Sequence, residues 1–305
     1  MTATNWRWKE HYASEDLEAV ACPVCGTGKT TPVATEFSLD IVRCAACGLL
    51  YVNPRPRDSE KNYWAPSRAE MEKKYGPIFE GRKPHDRDGL YRSHLDTLAR
   101  YQPDGRFLDV GTHCGFFLRH TKGRSWEAEG VEPSPVLGEL AREKFGLKVK
   151  TGALAEAAYP SESFDVITLL DVIEHLHDPR SLLAEVRRIM TPGGVFFIKT
   201  PNGTYNYLKH VVFHGLLRRP DYDCFDAREH VAAYTVPTLR RLLEETGWRV
   251  LAALPSAPVQ TYGSGPVKVL GRSALYALAR LQYVLTGQPG PFVTDLIILA
   301  QKPNG

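Results

Sequence analysis

The chain has 305 residues, 43% of them hydrophobic and 24% charged, with a formal net charge of +3. Those proportions are ordinary for a globular protein, and the length allows one large core or a moderate core with a small satellite. The charge is too small to argue for nucleic acid, and no lysine/arginine run of the kind that tracks a phosphate backbone is present. The N-terminal Met1-Thr-Ala-Thr-Asn-Trp-Arg-Trp8 lacks an apolar signal core, and no uncharged apolar stretch reaches the roughly 18–20 residues of a membrane span. The expectation is a cytoplasmic protein.

The first chemistry along the chain is a set of thiols. Cys22-Pro-Val-Cys25 and Cys44-Ala-Ala-Cys47 are separated by eighteen residues, and Gly26 and Gly48 follow the two pairs. Four soft ligands in two tight knuckles suit tetrahedral zinc, with no position open for water or substrate, so the metal is expected to be structural. Two disulfides are the alternative reading of the same spacing. Cys114 and Cys224 are left over and read as inert. Residues 1–57 are therefore taken as a zinc-ribbon module, with strand-like segments at 36–43 and 49–52 and a proline-rich exit at Asn53-Pro-Arg-Pro-Arg57.

Residues 58–104 read as a helical linker, in which Leu90, Leu95, Leu98 and Ala99 form one stripe that packs on a sheet edge. From 105 to 305 strands alternate with helices, the pattern of a parallel sheet covered on both faces. Strands are predicted at 106–110, 127–132, 147–150, 164–170 and 194–200. Ser134-Pro135 opens a helix that Gly146 closes, Asp178-Pro179 opens a second, and a third runs from Thr235 to Gly247 ahead of a strand at 248–254. In 266–286, Leu270, Ala274, Ala277, Leu278, Leu281 and Leu285 form an apolar stripe, with Lys268, Arg272 and Arg280 off it. Core packing or a homodimer contact is expected there, with a lid over an apolar substrate as the third option. A last strand is predicted at 292–300.

Three motifs fall in register on this pattern. Phe107-Leu-Asp-Val-Gly-Thr-His-Cys-Gly115 reads as a buried strand running into a glycine turn that opens a helix. Gly130-Val-Glu-Pro-Ser134 places an acid at the end of the next strand, and Phe164-Asp-Val-Ile-Thr-Leu-Leu-Asp-Val-Ile-Glu-His-Leu176 ends a third. A glycine turn followed by a ribose-binding acid is the geometry of a nucleoside site. The phosphate-cradling G-x-G-x-x-G is missing, so a nucleoside cofactor without phosphates fits better.

On these residues, 105–202 resemble the core of class I S-adenosylmethionine (SAM) methyltransferases, of the group that includes ubiquinone-type O-methyltransferases. The resemblance implies a Rossmann-like, seven-stranded α/β sheet. It also implies a cofactor site in which Asp109, Gly111, His113 and Gly115 face the methionine part, and Glu132 accepts the ribose hydroxyls. Gly152 and Ala153 would lie at the adenine, and Asp171 and Val172 would line the cofactor side. The sequence departs from the family at His113, where a glycine is usual. In some relatives, residues matching Asp171, Glu174, His175 and His230 hold a divalent metal. In metal-free relatives the same positions bond loops, which leaves His175 or His230 as the general base, His230 being favoured. Tyr205, Tyr207, Phe213, Tyr222, Phe225 and Tyr234 lie where the family builds its acceptor pocket. Ribbons of the form CPVCG…RCAACGLLYVNPRP resemble those of bacterial sugar and secondary-metabolite methyltransferases. The expected activity is O-methylation of a small molecule, without nucleic acid. An RNA methyltransferase, or a regulatory protein whose cofactor loop His113 has spoiled, are the alternatives.

Overall fold

The computed structural model describes residues 12–57, 66–219, 222–257 and 266–304. The N-terminal Met1–Trp8, residues 58–65 of the linker and the side chains of Lys268 and Arg272 lie outside the described residues. The N-terminal module contributes β1 (Leu17–Glu18), the hairpin of β2 (Thr30–Glu36) and β3 (Leu39–Cys44), then β4 (Leu50–Val52) and β5 (Arg55–Pro56). Two helices come next, α1 (Arg68–Phe79) and α2 (Asp88–Leu98). Ser67 starts α1 with a capping box, its hydroxyl accepting from Glu70 N while the Glu70 carboxylate accepts from Ser67 N.

The alternating region comprises β6 (Gly105–Val110), β7 (Trp126–Glu132), α3 (Pro135–Phe145), β8 (Val149–Thr151), β9 (Phe164–Leu170), α4 (Pro179–Ile189) and β10 (Met190–Pro201). It closes with α5 (Gly203–His210), β11 (Ala232–Ala233), α6 (Val236–Glu245), β12 (Arg249–Pro255), α7 (Pro266–Thr286) and β13 (Asp295–Gln301). Caps explain the helix ends. Ser134 and Asp178 accept from the third residue of α3 and α4, prolines occupy the first turns, and Gly146 ends α3 in the left-handed conformation at φ 60°.

Seven strands form one sheet in the order β12-β13-β10-β9-β6-β7-β8. The strands from β8 through β10 are parallel, and β13 is antiparallel to both of its neighbours. This is the Rossmann-like, seven-stranded sheet that the resemblance implies. The chain runs outward from β6 through β7 to β8, then returns to lay β9 on the other side of β6. The topological switch point therefore lies between the C-terminal ends of β6 and β9, where open α/β sheets bind ligands.

The ribbon is not closed on itself. β11, from the alternating region, adds to β4 and completes a four-stranded antiparallel sheet, β11-β4-β3-β2. Cys22, Val24, Leu49 and Tyr51 share one core with Leu183, Tyr234, Leu239 and Leu242. The Arg180 guanidinium donates to the Val24 carbonyl.

Two expectations are corrected here. No α-helix follows the glycine turn after β6. Residues 111–117 instead form successive turns that lead into a single 3-10 turn, Leu118–Thr121. Phe116, Phe117 and Leu118 are all buried there, so the segment is fixed by apolar anchoring rather than by a helical ladder. The stripe on α7 is not core either: Leu270, Leu278, Leu281 and Leu285 are 72, 54, 56 and 76% exposed, and among the described side chains of that stretch Ala279 is the buried one. The stripe is real at helical spacing but faces outward.

Candidate functional site

A cavity of about 800 Å³ opens at the switch point. Its floor is the loop after β6, from Asp109 to His113, with Glu132 from β7 and Gly152–Leu154 after β8. Asp171, Val172 and His175 contribute from the end of β9. The volume lies within the range of small-molecule and cofactor sites. Of the residues expected at the cofactor, Asp109, Gly111, His113, Glu132, Gly152, Ala153, Asp171 and Val172 all line this cavity. Gly115 does not. A Cβ there would lie 2.3 Å from Leu147 Cδ1 and 3.2 Å from Ala141 Cβ, so this glycine serves the approach of α3 to the loop.

The loop geometry follows from left-handed backbone at Gly111 (φ 74°) and His113 (φ 53°). A Cβ on Gly111 would meet Val172 Cγ2 at 2.6 Å, so the turn and the end of β9 pack too closely for any side chain. His113 adopts the conformation for which the family carries glycine, one that histidine tolerates better than most residues. Its backbone N–H donates to Glu132 Oε2 at 2.7 Å, and its ring lies edge-on to Tyr75 with 5.9 Å between centroids. The other oxygen, Glu132 Oε1, accepts from Ser134 N at 3.0 Å. Burial pushes the Glu132 carboxyl up to about 7 and the Asp109 carboxyl up to about 6. Asp109 accepts from Thr168 Oγ1 at 2.6 Å and so ties the floor to β9.

Asp171 departs from the expected arrangement. Its backbone is left-handed (φ 54°), which breaks the strand-to-helix continuity that would put it on one face with Glu174 and His175. Its carboxylate instead accepts from Arg87 Nη1 at 2.7 Å and Lys199 Nζ at 2.5 Å, and Lys199 also pairs with Asp295 at 2.5 Å. Although burial alone raises a carboxyl, Lys199 and Arg87 hold Asp171 down to about 2. The four-residue metal set is thereby corrected. Among the described residues, Glu174, His175 and His230 each offer a ligand atom within 4.8 Å of the others, and Asp171 is outside the group.

Within that group His175 alone borders the cavity. His230 lies behind it, with the rings edge-on at 4.9 Å. The His175 Nδ1 is 2.7 Å from the Glu229 carbonyl. A carbonyl only accepts, so Nδ1 carries the hydrogen and Nε2 keeps the lone pair. Burial lowers the pKa of His175 and takes His230 down to about 3, so both rings are neutral. Glu174 is 1% exposed; Oε2 accepts from Thr200 Oγ1 at 3.0 Å, while Oε1 is buried without a partner among the described residues. Burial and the nearby Asp171 charge raise its carboxyl to about 8.

The aromatic wall comes from an unexpected place. None of Tyr205, Tyr207, Phe213, Tyr222, Phe225 and Tyr234 lines the cavity. Tyr234 is core, and Phe213 stacks on Tyr222 at 3.9 Å. The wall is built instead by α1, the turn after it and α2, with Met71, Tyr75, His85 and Tyr91 facing Phe116 and Phe117. The signal was present in Tyr75, Phe79 and His85, but a polar segment without strong periodicity gave no reason to fold it over the sheet.

At the N-terminus the four cysteines are free thiols. Cys22 and Cys47 Sγ are 3.5 Å apart, Cys25 and Cys44 Sγ 3.4 Å, and all four lie within 4.8 Å of one another. Gly26 (φ 73°) and Gly48 (φ 79°) turn the knuckles, with Gly26 N donating to Cys22 O and Gly48 N to Cys44 O.

Residues 84–253, more than half of the chain, match the family described as methyltransferase domain. The chain belongs to that family. Its architecture is that of the class I SAM-dependent members. The ubiquinone biosynthesis O-methyltransferase of Saccharophagus degradans is 30% identical over 124 residues, which are 39% of this chain and 52% of that protein. The protein of the same name from Thiobacillus denitrificans is 29% identical over 146 residues, 45% of this chain and 62% of that one. The chain thus spans about half to three-fifths of these relatives. Among solved structures, one similar chain belongs to the complex between the Haloferax volcanii Trm112 methyltransferase activator and a candidate methyltransferase. It has a TM-score of 0.52 and 16% identity, and the match covers 81% of this chain and 96% of that one. At that identity the likeness is one of fold. No described helix is long and apolar enough to cross a membrane.

Proposed function

We propose that this protein transfers the SAM methyl group to a hydroxyl of a small, apolar or ring-bearing acceptor. The observation that carries the reading is His175, a histidine held by the Glu229 carbonyl at the wall of the cavity that also holds the glycine turn and the ribose-type acid. SAM would lie with its methionine part on Asp109–His113, its ribose on Glu132 and its adenine against Gly152–Leu154. The acceptor would enter between His175 and the wall of Tyr75, His85 and Tyr91. The acceptor oxygen attacks the methyl carbon as its proton passes to His175 Nε2. The sulfur–methyl bond breaks, and its electron pair stays on sulfur, giving the methyl ether and S-adenosylhomocysteine. The enzyme's chief contribution is holding acceptor and sulfonium in line. Names of relatives such as ubiquinone biosynthesis O-methyltransferase support an oxygen as the methylated atom. A sugar or secondary-metabolite hydroxyl is the class that the ribbon's resemblance favours.

His175 is preferred to His230 as base because His230 does not reach the cavity wall. The partnerless Glu174 Oε1 favours a second reading, in which Glu174, His175 and His230 hold a divalent ion. Such an ion would lower the pKa of the acceptor hydroxyl and orient it. The four N-terminal thiols fit structural zinc, since Zn–S bonds of about 2.3 Å give tetrahedral S–S edges of about 3.8 Å.

S-adenosylhomocysteine formation, followed over a panel of phenols, sugars and polyketide alcohols, tests the proposal. His175→Ala should lower kcat/KM by about 100-fold or more while SAM affinity stays unchanged. Full turnover in both His175→Ala and His230→Ala would overturn the base assignment. If a catalytic ion is used, chelation abolishes turnover without lowering the melting temperature, and manganese restores it. Salt-sensitive retention of RNA, with methyl transfer to it, would replace the small-molecule reading.

A further inference from the structure

A second cluster of metal-type ligands lies outside the cavity, and no part of the methyl-transfer chemistry uses it. α5 continues past His210 into a π-helical stretch, Val211–Leu216, so His210 and His214 stand on one face of a single helical run. Their rings are 4.6 Å apart. Cys224, 3% exposed, comes back beside them, and one ligand atom from each of the three residues lies within 4.8 Å of the other two.

The individual atoms are arranged as metal ligands are. His214 Nε2 is 2.7 Å from the Tyr222 carbonyl, which can only accept, so Nε2 carries the hydrogen and Nδ1 keeps its lone pair. Among the described residues His210 Nδ1 is buried with no hydrogen-bond partner, an arrangement that costs free energy unless something fills it. Cys224 is set by an outer carboxylate: Glu36, 5% exposed, accepts from Cys224 N at 2.6 Å and from Phe225 N at 3.0 Å. An imidazole whose far nitrogen donates to a carbonyl, as in His214, is the usual second-shell arrangement of a metal-ligating histidine, while Glu36 fixes the backbone that carries Cys224.

We propose that His210, His214 and Cys224 form a second zinc site. Two nitrogens and one thiolate suit zinc, with a water completing the tetrahedron. Its position suggests a structural purpose. The ion would clamp the end of α5 to the segment before β11, directly against β2 through Glu36. That segment leads to Glu229, whose carbonyl orients His175. The proposal rests on the cluster alone and is independent of the acceptor and of the base.

The test is metal uptake by the full chain, with zinc as ligand and cobalt(II) as its coloured replacement. Wild type should bind one ion per chain more than His210→Ala and Cys224→Ser. The affinity of the lost site should fall by more than the 10- to 100-fold that removing an outer-shell partner costs. Cobalt added beyond saturation of the four-cysteine site should give a further thiolate charge-transfer band in wild type, absent from Cys224→Ser and retained in Cys114→Ser. Cys25→Ser should lose the other ion and keep this one, which separates the two sites. Equal uptake by wild type and either ligand variant would overturn the proposal. So would wild type that takes up no zinc beyond the four-cysteine site, a measurement that does not depend on any variant folding.

Discussion

At Gly111, one missing Cβ links the loop after β6 to β9. The position combines a positive φ with a contact to Val172 that leaves no room for a methyl group. Gly111→Ala should therefore destabilise the fold by about 2–4 kcal/mol, part backbone strain and part overpacking. Adding Val172→Ala removes the overpacked methyl and should recover part of the loss in urea denaturation. If the double variant is no more stable than the single one, the contact is not the cause. Glu132 supplies a second test at this scale. Its carboxyl is raised to about 7 by burial, while both oxygens accept backbone N–H groups. If ribose hydroxyls donate to the ionised form, SAM affinity must fall as the pH drops through about 7, by up to tenfold per pH unit. Glu132→Gln should bind more weakly at pH 8 and show a flat profile. A wild-type profile that is flat between pH 6 and 8 would remove Glu132 from the binding site.

The elements matter for what they carry to the site. α1 has little amphipathic pattern, yet it brings Met71 and Tyr75 over the cavity, while β11, only two residues long, joins the ribbon to the methyltransferase core. Because the thiol cluster shares a core with α4 and α6 residues, its loss should be felt beyond the ribbon. Structural zinc contributes on the order of 10 kcal/mol to folding a small module. Cys25→Ser should thus lower the zinc content by about one ion per chain and depress the melting transition of the whole molecule rather than of a separate N-terminal unit. A wild-type metal content and melting curve in Cys25→Ser would show that the four thiols hold no ion.

Across the molecule, a charged network fastens the linker to the sheet. Arg87, Asp171, Lys199 and Asp295 come from α2's N-terminal flank, β9's end, β10 and β13, and Lys199 is 3% exposed. Removing Lys199 takes the network's one buried cation from between two partly buried carboxylates, Asp171 and Asp295. Lys199→Met should therefore cost about 3 kcal/mol or more in chemical denaturation at neutral pH. The pH sign follows from Asp171. Its folded pKa of about 2 lies below the unfolded value of about 4, so its contribution is present above pH 4 and lost as the pH falls toward 2. Asp171→Asn should blunt the acid limb of the stability curve. An unchanged acid limb together with a loss below about 1 kcal/mol in Lys199→Met would show that the network is only solvated surface charge.

The sequence by itself determined the alternation of strands and helices, the caps at Ser134, Asp178 and Thr235, the position of Glu132 and the four-cysteine set. Each of these is written locally, in hydrophobic period, capping chemistry or ligand spacing. Contacts between distant segments decided the rest. The helix expected after Gly115 gave way to turns because Phe116, Phe117 and Leu118 are all drawn into the interior. Asp171 left the metal set because Lys199, 28 residues on, and Arg87, 84 residues back, capture its carboxylate. The aromatic wall moved from 205–234 to 71–91 because α1 folds over the switch point, a long-range packing choice that no local pattern encodes. His210, His214 and Cys224 went unread for the same reason. An H-x3-H pair is common on helices, and only the return of the chain at Cys224 makes it a cluster.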